Sequence, residues 1–223
     1  MKLIQYTYYF IRSLCLRGPL NTFKLLSFER EYEKRFNIKT ISIVNLKGLT
    51  LAGTNSAENH HYQGASYFIL FKVFNLLPNK LKNATMIDYG CGKGRALFVA
   101  ETCGFKKLIG LDIAKELIEE ARRNELNYKK KNTNSQFIFE FEDATKYLIP
   151  NDAEVFYFFN PFGKKILQEV ITNIKKSVLN NPRTIYCIYL NPLYHPIFLE
   201  NGFKNFKTIK SWRYLEGEIY TIS

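Results

Sequence analysis

Ala84-Thr-Met-Ile-Asp-Tyr-Gly-Cys-Gly-Lys-Gly-Arg95 and, after an apolar-periodic run, Lys107-Leu-Ile-Gly-Leu-Asp112 decide the fold of this chain. A short apolar run, Met86 and Ile87, ends in an acid, Asp88, and breaks into glycines at alternate positions, Gly90, Gly92 and Gly94. From Arg95 onward Ala96, Leu97, Val99, Ala100 and Cys103 repeat with helical spacing, Gly104 stops the helix, and Leu108 to Asp112 is apolar again up to a second acid. That is a β-α-β unit with a glycine-rich first turn. It aims a helix N-terminus at whatever sits over the carboxyl edge of a parallel sheet.

The spacing carries chemistry. A dinucleotide fingerprint reads G-x-G-x-x-G, whereas this loop reads G-x-G-x-G with Asp88 just ahead of it. A carboxylate there disfavours an anion and suits an ammonium or a sulfonium. Asp112, about 20 residues beyond the loop, is placed to hydrogen-bond both hydroxyls of a ribose. The arrangement resembles the class I S-adenosylmethionine-dependent methyltransferases. By that resemblance Asp88 and the loop of Gly90, Cys91, Gly92 and Gly94 cradle the methionine part of S-adenosyl-L-methionine, and Asp112 with Ile113 holds the ribose.

At 223 residues the chain can bury a sizeable core as one domain with an appendage. Aromatics are plentiful, 19 Phe and 15 Tyr, and the net charge is +12. Such a balance suits an acidic partner, a nucleic acid or an anionic membrane surface, and equally suits the Lys, Asn, Ile, Phe and Tyr codons of an AT-rich genome. No RNA-binding motif accompanies the charge, so nucleic acid is not the favoured partner. Cys15, Cys91, Cys103 and Cys187 form no C-x-x-C pair or metal spacing, which points to a reduced, cytoplasmic protein without a metal.

Leu3 to Leu16 is apolar and aromatic but too short and interrupted for a membrane span, and it lacks a signal-peptide cleavage site. Two readings stay open: helices covering the catalytic domain, or peripheral membrane contact through residues 1–17. After Gly18-Pro19, Asn21-Thr22 is expected to cap a second helix reaching about Phe36, with the acids among Glu29 to Glu33 on a solvated face. Thr40 to Leu51 reads as a strand or extended connection. Tyr62 to Tyr67 precedes an apolar helix that Ser66 can cap. Resemblance to methyltransferases with N-terminal extensions places Tyr62 to Tyr67 over the cofactor. His60-His61, with no carboxylate or cysteine beside them, read as solvated rather than as metal ligands.

Beyond Asp112 a helix is expected from about Ala114 to Tyr128, with Glu119 and Arg123 as an i,i+4 pair and Lys129 to Lys131 at its dipole's negative end. A third strand, Gln136 to Phe141, ends at Asp143-Ala144, the family's adenine-side position. A fourth, Ala153 to Phe159, ends in Asn160-Pro161-Phe162-Gly163. Amino-directed methyltransferases carry an Asn or Asp followed by Pro and an aromatic there. The resemblance therefore implies that Asn160 and Pro161 orient the acceptor nitrogen and Phe162 packs on the substrate; no side chain is an obvious base, and Tyr62, His61 and Asn160 are the candidates to position or relay. Asn-Pro is also ordinary turn chemistry. A helix from Lys165, a strand over Pro182 to Leu190, a short helix and a terminal hairpin complete the chain.

The expected fold is α/β: a Rossmann-like seven-stranded methyltransferase sheet, mostly parallel with a C-terminal antiparallel hairpin. An N-terminal helical extension occupies residues 1–47 and the methyltransferase domain residues 48–223. From about Gly18 to Phe206 the chain is similar to bacterial class I methyltransferases of this size, and distantly to the disruptor-of-telomeric-silencing type of histone-lysine methyltransferase. The latter likeness rests on Gln63 to Ser66, Ile87 to Gly94 and Phe159 to Gly163. That family has Asn-Asn-Phe at the fourth strand end and a Glu where this chain has Asp112, so its substrate does not carry over. The expected activity is methyl transfer from S-adenosylmethionine to an unidentified acceptor, nitrogen favoured, a protein amine or a small molecule. The rivals are a non-catalytic RNA- or membrane-binding module and a nicotinamide-dependent oxidoreductase.

Overall fold

The structure, a computed structural model, describes residues 2–53, 62–128, 134–211 and 214–223, with residues 2–6 and 211 through the backbone alone. Helices α1 (Lys2–Arg17) and α2 (Pro19–Phe36) lead to a two-residue strand β1 (Ile43–Val44), which pairs antiparallel with β2 (Tyr62–Gln63). Helix α3 (Tyr67–Phe74) and a 3-10 turn (Asn79–Asn83) deliver the chain to the large sheet. There follow β3 (Thr85–Tyr89), α4 (Arg95–Thr102), β4 (Lys107–Asp112), α5 (Lys115–Asn127) and β5 (Gln136–Phe141). Then come β6 (Ala153–Phe159), α6 (Lys164–Asn180), β7 (Ile185–Leu190), α7 (Pro196–Glu200) and the hairpin of β8 (Lys204–Ser211) and β9 (Tyr214–Ile222).

The seven strands lie in the order β5-β4-β3-β6-β7-β9-β8, and only β9 runs against its neighbours. Chain order reverses between β3 and β6, which makes the carboxyl ends of that pair the topological switch point where α/β sheets bind ligands. All five residues of β3 are buried, as expected for a parallel strand covered on both faces. Met86, Val155, Tyr157 and Ile188 pack on one face with α3, α4, α5 and Phe36. Ile87, Tyr89, Phe156 and Phe158 pack on the other with α6 and α7. The aromatic surplus is spent here: the rings of Tyr89 and Phe158 stack at 5.2 Å, and those of Phe198 and Tyr220 at 4.4 Å.

Several local expectations hold. Ser66 Oγ accepts from Ile69 N and caps α3, Gly104 (φ +101°) turns the chain after α4, and the hairpin closes the sheet. Others are corrected. The cap of α2 is Gly18 with Pro19 at the first helical position, where the missing N–H of proline costs nothing. Asn21 and Thr22 instead face inward, to Arg17 O and Ser13 Oγ. The i,i+4 pair of α5 is Lys115 with Glu119 (4.0 Å), not Glu119 with Arg123. Between Thr40 and Leu51 only Ile43–Val44 forms a strand, with Leu51 in a single bridge to Ala114. No helix separates β5 from β6, so that crossover is a loop. The acids Glu29 and Glu33 of α2 are not on a solvated face, because both are drawn onto Arg95. His60, His61 and Lys129 to Lys131 lie outside the described residues.

Candidate active site

The carboxyl ends of β3, β4, β5 and β6 open onto one cleft, walled by Tyr62, Gly90, Asp112 with Ile113, Asp143 with Ala144, and Asn160 to Phe162. Asp88, Cys91, Gly92 and Gly94 are not on its wall but support it from behind. The loop turns through three left-handed glycines, Gly90, Gly92 and Gly94 (φ +77°, +54° and +84°), a path that side chains resist. Its backbone donors are turned inward. Gly90 N and Cys91 N both donate to Leu111 O (2.8 and 2.9 Å), Gly92 N donates to Asp112 Oδ2 (2.8 Å), and Gly94 N to Cys91 O (2.9 Å). A phosphate would find these N–H groups already taken.

The acids set the electrostatics. Asp112 accepts from Gly92 N and, through Oδ1, from Ala114 N (2.9 Å). Burial nevertheless outweighs those donors and pushes its carboxyl up to about 6. Burial, and then the neighbouring Asp112, raise Asp88 well above the ordinary carboxylate range. Neither acid has a cationic partner among the described residues. Two buried acids without a counter-charge favour a ligand that brings positive charge and hydroxyl donors, and disfavour an anion.

The strand end expected on the adenine side is also ordered by its own hydrogen bonds. Asp143 Oδ1 accepts from Thr145 N (3.0 Å) and Thr145 Oγ1 (2.7 Å). Its Oδ2 lies 2.8 Å from where a Cβ on Gly53 (φ +76°) would stand, so the chain crosses over it there. Ala52 N donates to Ile113 O (2.8 Å) and Thr50 O accepts from Lys115 N (3.0 Å), which pins the segment to the end of β4.

At the switch point the loops after β3 and β6 touch, since a Cβ on Gly90 would stand 2.5 Å from Pro161 Cβ. Asn160 is left-handed (φ +44°), a conformation Asn tolerates better than most residues, and its Oδ1 accepts from Tyr189 Oη (3.1 Å). The Tyr62 ring lies on Gly92, where a Cβ would meet ring carbons at 2.1 and 2.2 Å. Its hydroxyl donates to Thr40 O (2.9 Å), burial pushes the phenol up, and its ring forms part of the cleft wall. With the ring in place the cleft encloses about 60 Å³, a small fraction of a ligand-sized pocket.

Two features escaped the sequence reading. A second cavity of about 430 Å³ lies between α1, α2 and the sheet edge, and shares Gln63 and Phe159 with the cleft. Beside it Arg95, the first residue of α4, is buried in a clasp. Its Nε donates to Thr40 Oγ1 (2.6 Å) and its Nη1 to Glu29 Oε2 (2.6 Å) and Ala65 O (2.9 Å), while Nη2 lies 3.6 Å from Glu33 Oε1. Tyr67 Oη donates to Glu33 (2.7 Å) and its ring lies under the guanidinium. A faint signal existed: Thr22, Glu29, Glu33 and Phe36 share one helical stripe, and its two ends are buried.

Residues 80–184 match the family model described as a methyltransferase domain. That stretch is similar to methyltransferase domains, and the sheet it builds has the Rossmann-like class I methyltransferase fold. Its sheet superposes on the magnesium protoporphyrin IX methyltransferase of Synechocystis PCC 6803, a structure with bound S-adenosylmethionine. That match has TM-score 0.52 and 16% identity over 70% of this chain and 77% of that one. The ribosomal protein L11 methylase of Lactobacillus delbrueckii subsp. bulgaricus matches with TM-score 0.50 and 17% identity over 78% and 81%. At these identities the likeness is one of fold. In sequence, the ribosomal protein L11 methyltransferase of Burkholderia cenocepacia is 42% identical over 40 residues, 18% of this chain and 13% of the relative. The chain thus spans about an eighth of the curated relatives it matches. The inward-turned loop donors and the uncompensated acids suit the domain's cofactor, which is cationic at sulfur and nitrogen and carries ribose hydroxyls.

Proposed function

We propose that the whole protein transfers the methyl group of S-adenosylmethionine to a nitrogen nucleophile placed at the switch point. The observation that carries this reading is the pair of buried acids, Asp88 and Asp112, behind a glycine loop whose N–H groups are already bonded. Asp88, behind the glycine loop, would act on the methionine ammonium through its field, while Asp112 and Ile113 would face the ribose and Asp143 and Ala144 the adenine. Bound there, the cofactor would supply an electrophilic methyl carbon on a sulfonium, with a neutral thioether as leaving group and water to take the acceptor's proton. The chain's own work is then alignment and exclusion of water, with Asn160 and Pro161 at the point of approach and Phe162 behind them. A pyrophosphate cofactor fits poorly beside two acids and spent loop donors, which counts against the oxidoreductase reading.

Calorimetry tests this directly. S-adenosylhomocysteine should bind one to one, and Asp112→Ala should weaken it by about 1.5–3 kcal/mol, the range for hydrogen bonds to a charged group. Binding of NADH without binding of S-adenosylhomocysteine would sink the reading.

A further inference from the structure

The 430 Å³ cavity beside the cleft contains a buried carboxylate oxygen with nothing among the described residues to accept from. Glu216, 5% exposed, gives Oε1 to Arg17 Nε (3.0 Å), and its Oε2 has no hydrogen-bond partner among the described residues. Ser42 Oγ, on the same cavity wall, is also buried and unpartnered. Such groups cost free energy comparable to a lost hydrogen bond unless something else satisfies them. Most of the remaining wall area is apolar, with Leu25, Ile43, Phe159 and Leu190 on it, while Arg12, Glu29, Arg30 and Arg95 also line the cavity. Its volume falls in the range of small-molecule pockets.

Position ties the cavity to the chemistry. Gln63 and Phe159 belong to both walls, and Phe159 is followed directly by Asn160. Phe159 pairs with Leu190 and Leu190 with Gly217, so Glu216 stands two strands from Asn160, a span of about 10 Å. A molecule of modest size can reach from Glu216 to the switch point. Charge narrows its type. Arg17 already neutralises Glu216, Arg95 neutralises Glu29, and Arg12 and Arg30 also line the cavity, so nothing draws a cation inward, while the open Glu216 Oε2 repels an anion set beside it.

We infer that this cavity seats the methyl acceptor, and that the acceptor is an uncharged, mostly apolar small molecule carrying an N–H or O–H that Glu216 Oε2 accepts. The inference rests on the methyltransferase reading for the acceptor's fate, but the ligand class follows from the cavity alone.

The test uses the full chain and four probes of one shape: beta-naphthol, its methyl ether, naphthoate and naphthylmethylammonium. Calorimetry should rank the naphthol first, on the order of tenfold tighter than the ether that lacks the O–H. Leu25→Trp, which fills the cavity, should abolish naphthol binding and leave S-adenosylhomocysteine binding intact, which also reports that the variant is folded. In Glu216→Gln the amide oxygen stays with Arg17 and the NH₂ faces the cavity, so the preference should invert toward the ether. Equal affinities, first rank for either charged probe, or no binding by the wild type would overturn the inference. Radiolabelled transfer in a lysate should enter the small-molecule fraction; label only in protein or RNA would overturn the acceptor assignment. If the naphthol ranking holds but S-adenosylhomocysteine does not bind, the methyltransferase reading fails and the ligand class survives.

Discussion

Both the cleft and the helical roof bury acids, and they treat them in opposite ways. In the roof Glu29 and Glu33 meet Arg95, and Glu216 meets Arg17. Burial raises Glu29, but the Arg95 guanidinium and the Tyr67 amide pull against it. In the cleft Asp112 has backbone donors and Asp88 beside it, neither acid has a cationic partner among the described residues, and the loop's own lysine, Lys93, is taken by Glu120 at 2.6 Å. In charge pairing the roof is complete and, among the described residues, the cleft is not. A site that leaves its charges uncompensated gives up stability in exchange for differential binding of the ligand that compensates them.

The largest effect should come from breaking the complete region. Arg95→Met leaves two buried carboxylates facing apolar surface and should cost about 3–5 kcal/mol in urea unfolding. Replacing Glu29 and Glu33 by Leu and Met in the same chain should recover much of that, because well-packed apolar side chains often equal a buried ion cluster. A cost near zero for Arg95→Met alone would show that the roof is not held by this clasp.

The contrast also explains what was legible in the sequence. The glycine loop, its flanking acids, the strand ends at Asp143 and Asn160 and the cap at Ser66 are all short-range patterns. In each the residue type needed by the turn sits within a few positions of the apolar period that defines the element. The roof is written in long-range pairs. Arg95 lies 66 residues from Glu29, and Arg17 lies 199 residues from Glu216. No local pattern distinguishes an acid that will be drawn inward from one on a solvated face. The short stretch over Thr40 to Gly53 was equally opaque, because its place is set by partners such as Ile113 O and Asp143 rather than by its own periodicity.

The next effect concerns pH and the incomplete region. Asp112 is raised from an ordinary 3.8 to about 6, so it contributes stability that is fully present below about pH 4 and lost as pH rises through about 6. The difference in unfolding free energy between wild type and Asp112→Asn should therefore shift by roughly 3 kcal/mol across that window, at about 1.36 kcal/mol per unit. The wild type should lose ground as the acid ionises. Asp88→Asn should show the same direction. S-adenosylhomocysteine should bind more weakly below about pH 6, where Asp112 begins to hold a proton in place of the ribose hydroxyls. A flat difference profile would mean that the cleft acids are compensated after all.

The smallest effect tests whether Asn160 belongs to the chemistry or only to the turn. Its φ of +44° is a conformation that Ala resists and Gly accepts freely. Asn160→Ala should cost about 1 kcal/mol of stability and Asn160→Gly less, since only the former forces a side chain into left-handed backbone. Both variants lose the side-chain oxygen that now accepts from Tyr189 Oη, so that loss is common to the pair. If Asn160 serves the turn alone, activity should follow the folded fraction, and the Gly variant should be nearly as active as the wild type. If its amide aligns the acceptor, both variants should bind S-adenosylhomocysteine normally and lose about 10²-fold in single-turnover transfer, however stable they are. Tyr189→Phe supplies the intermediate case, because it keeps the amide and the backbone but removes the hydroxyl that orients them. A Gly variant with full transfer would take Asn160 out of the reaction and leave the switch point to Pro161 and Phe162.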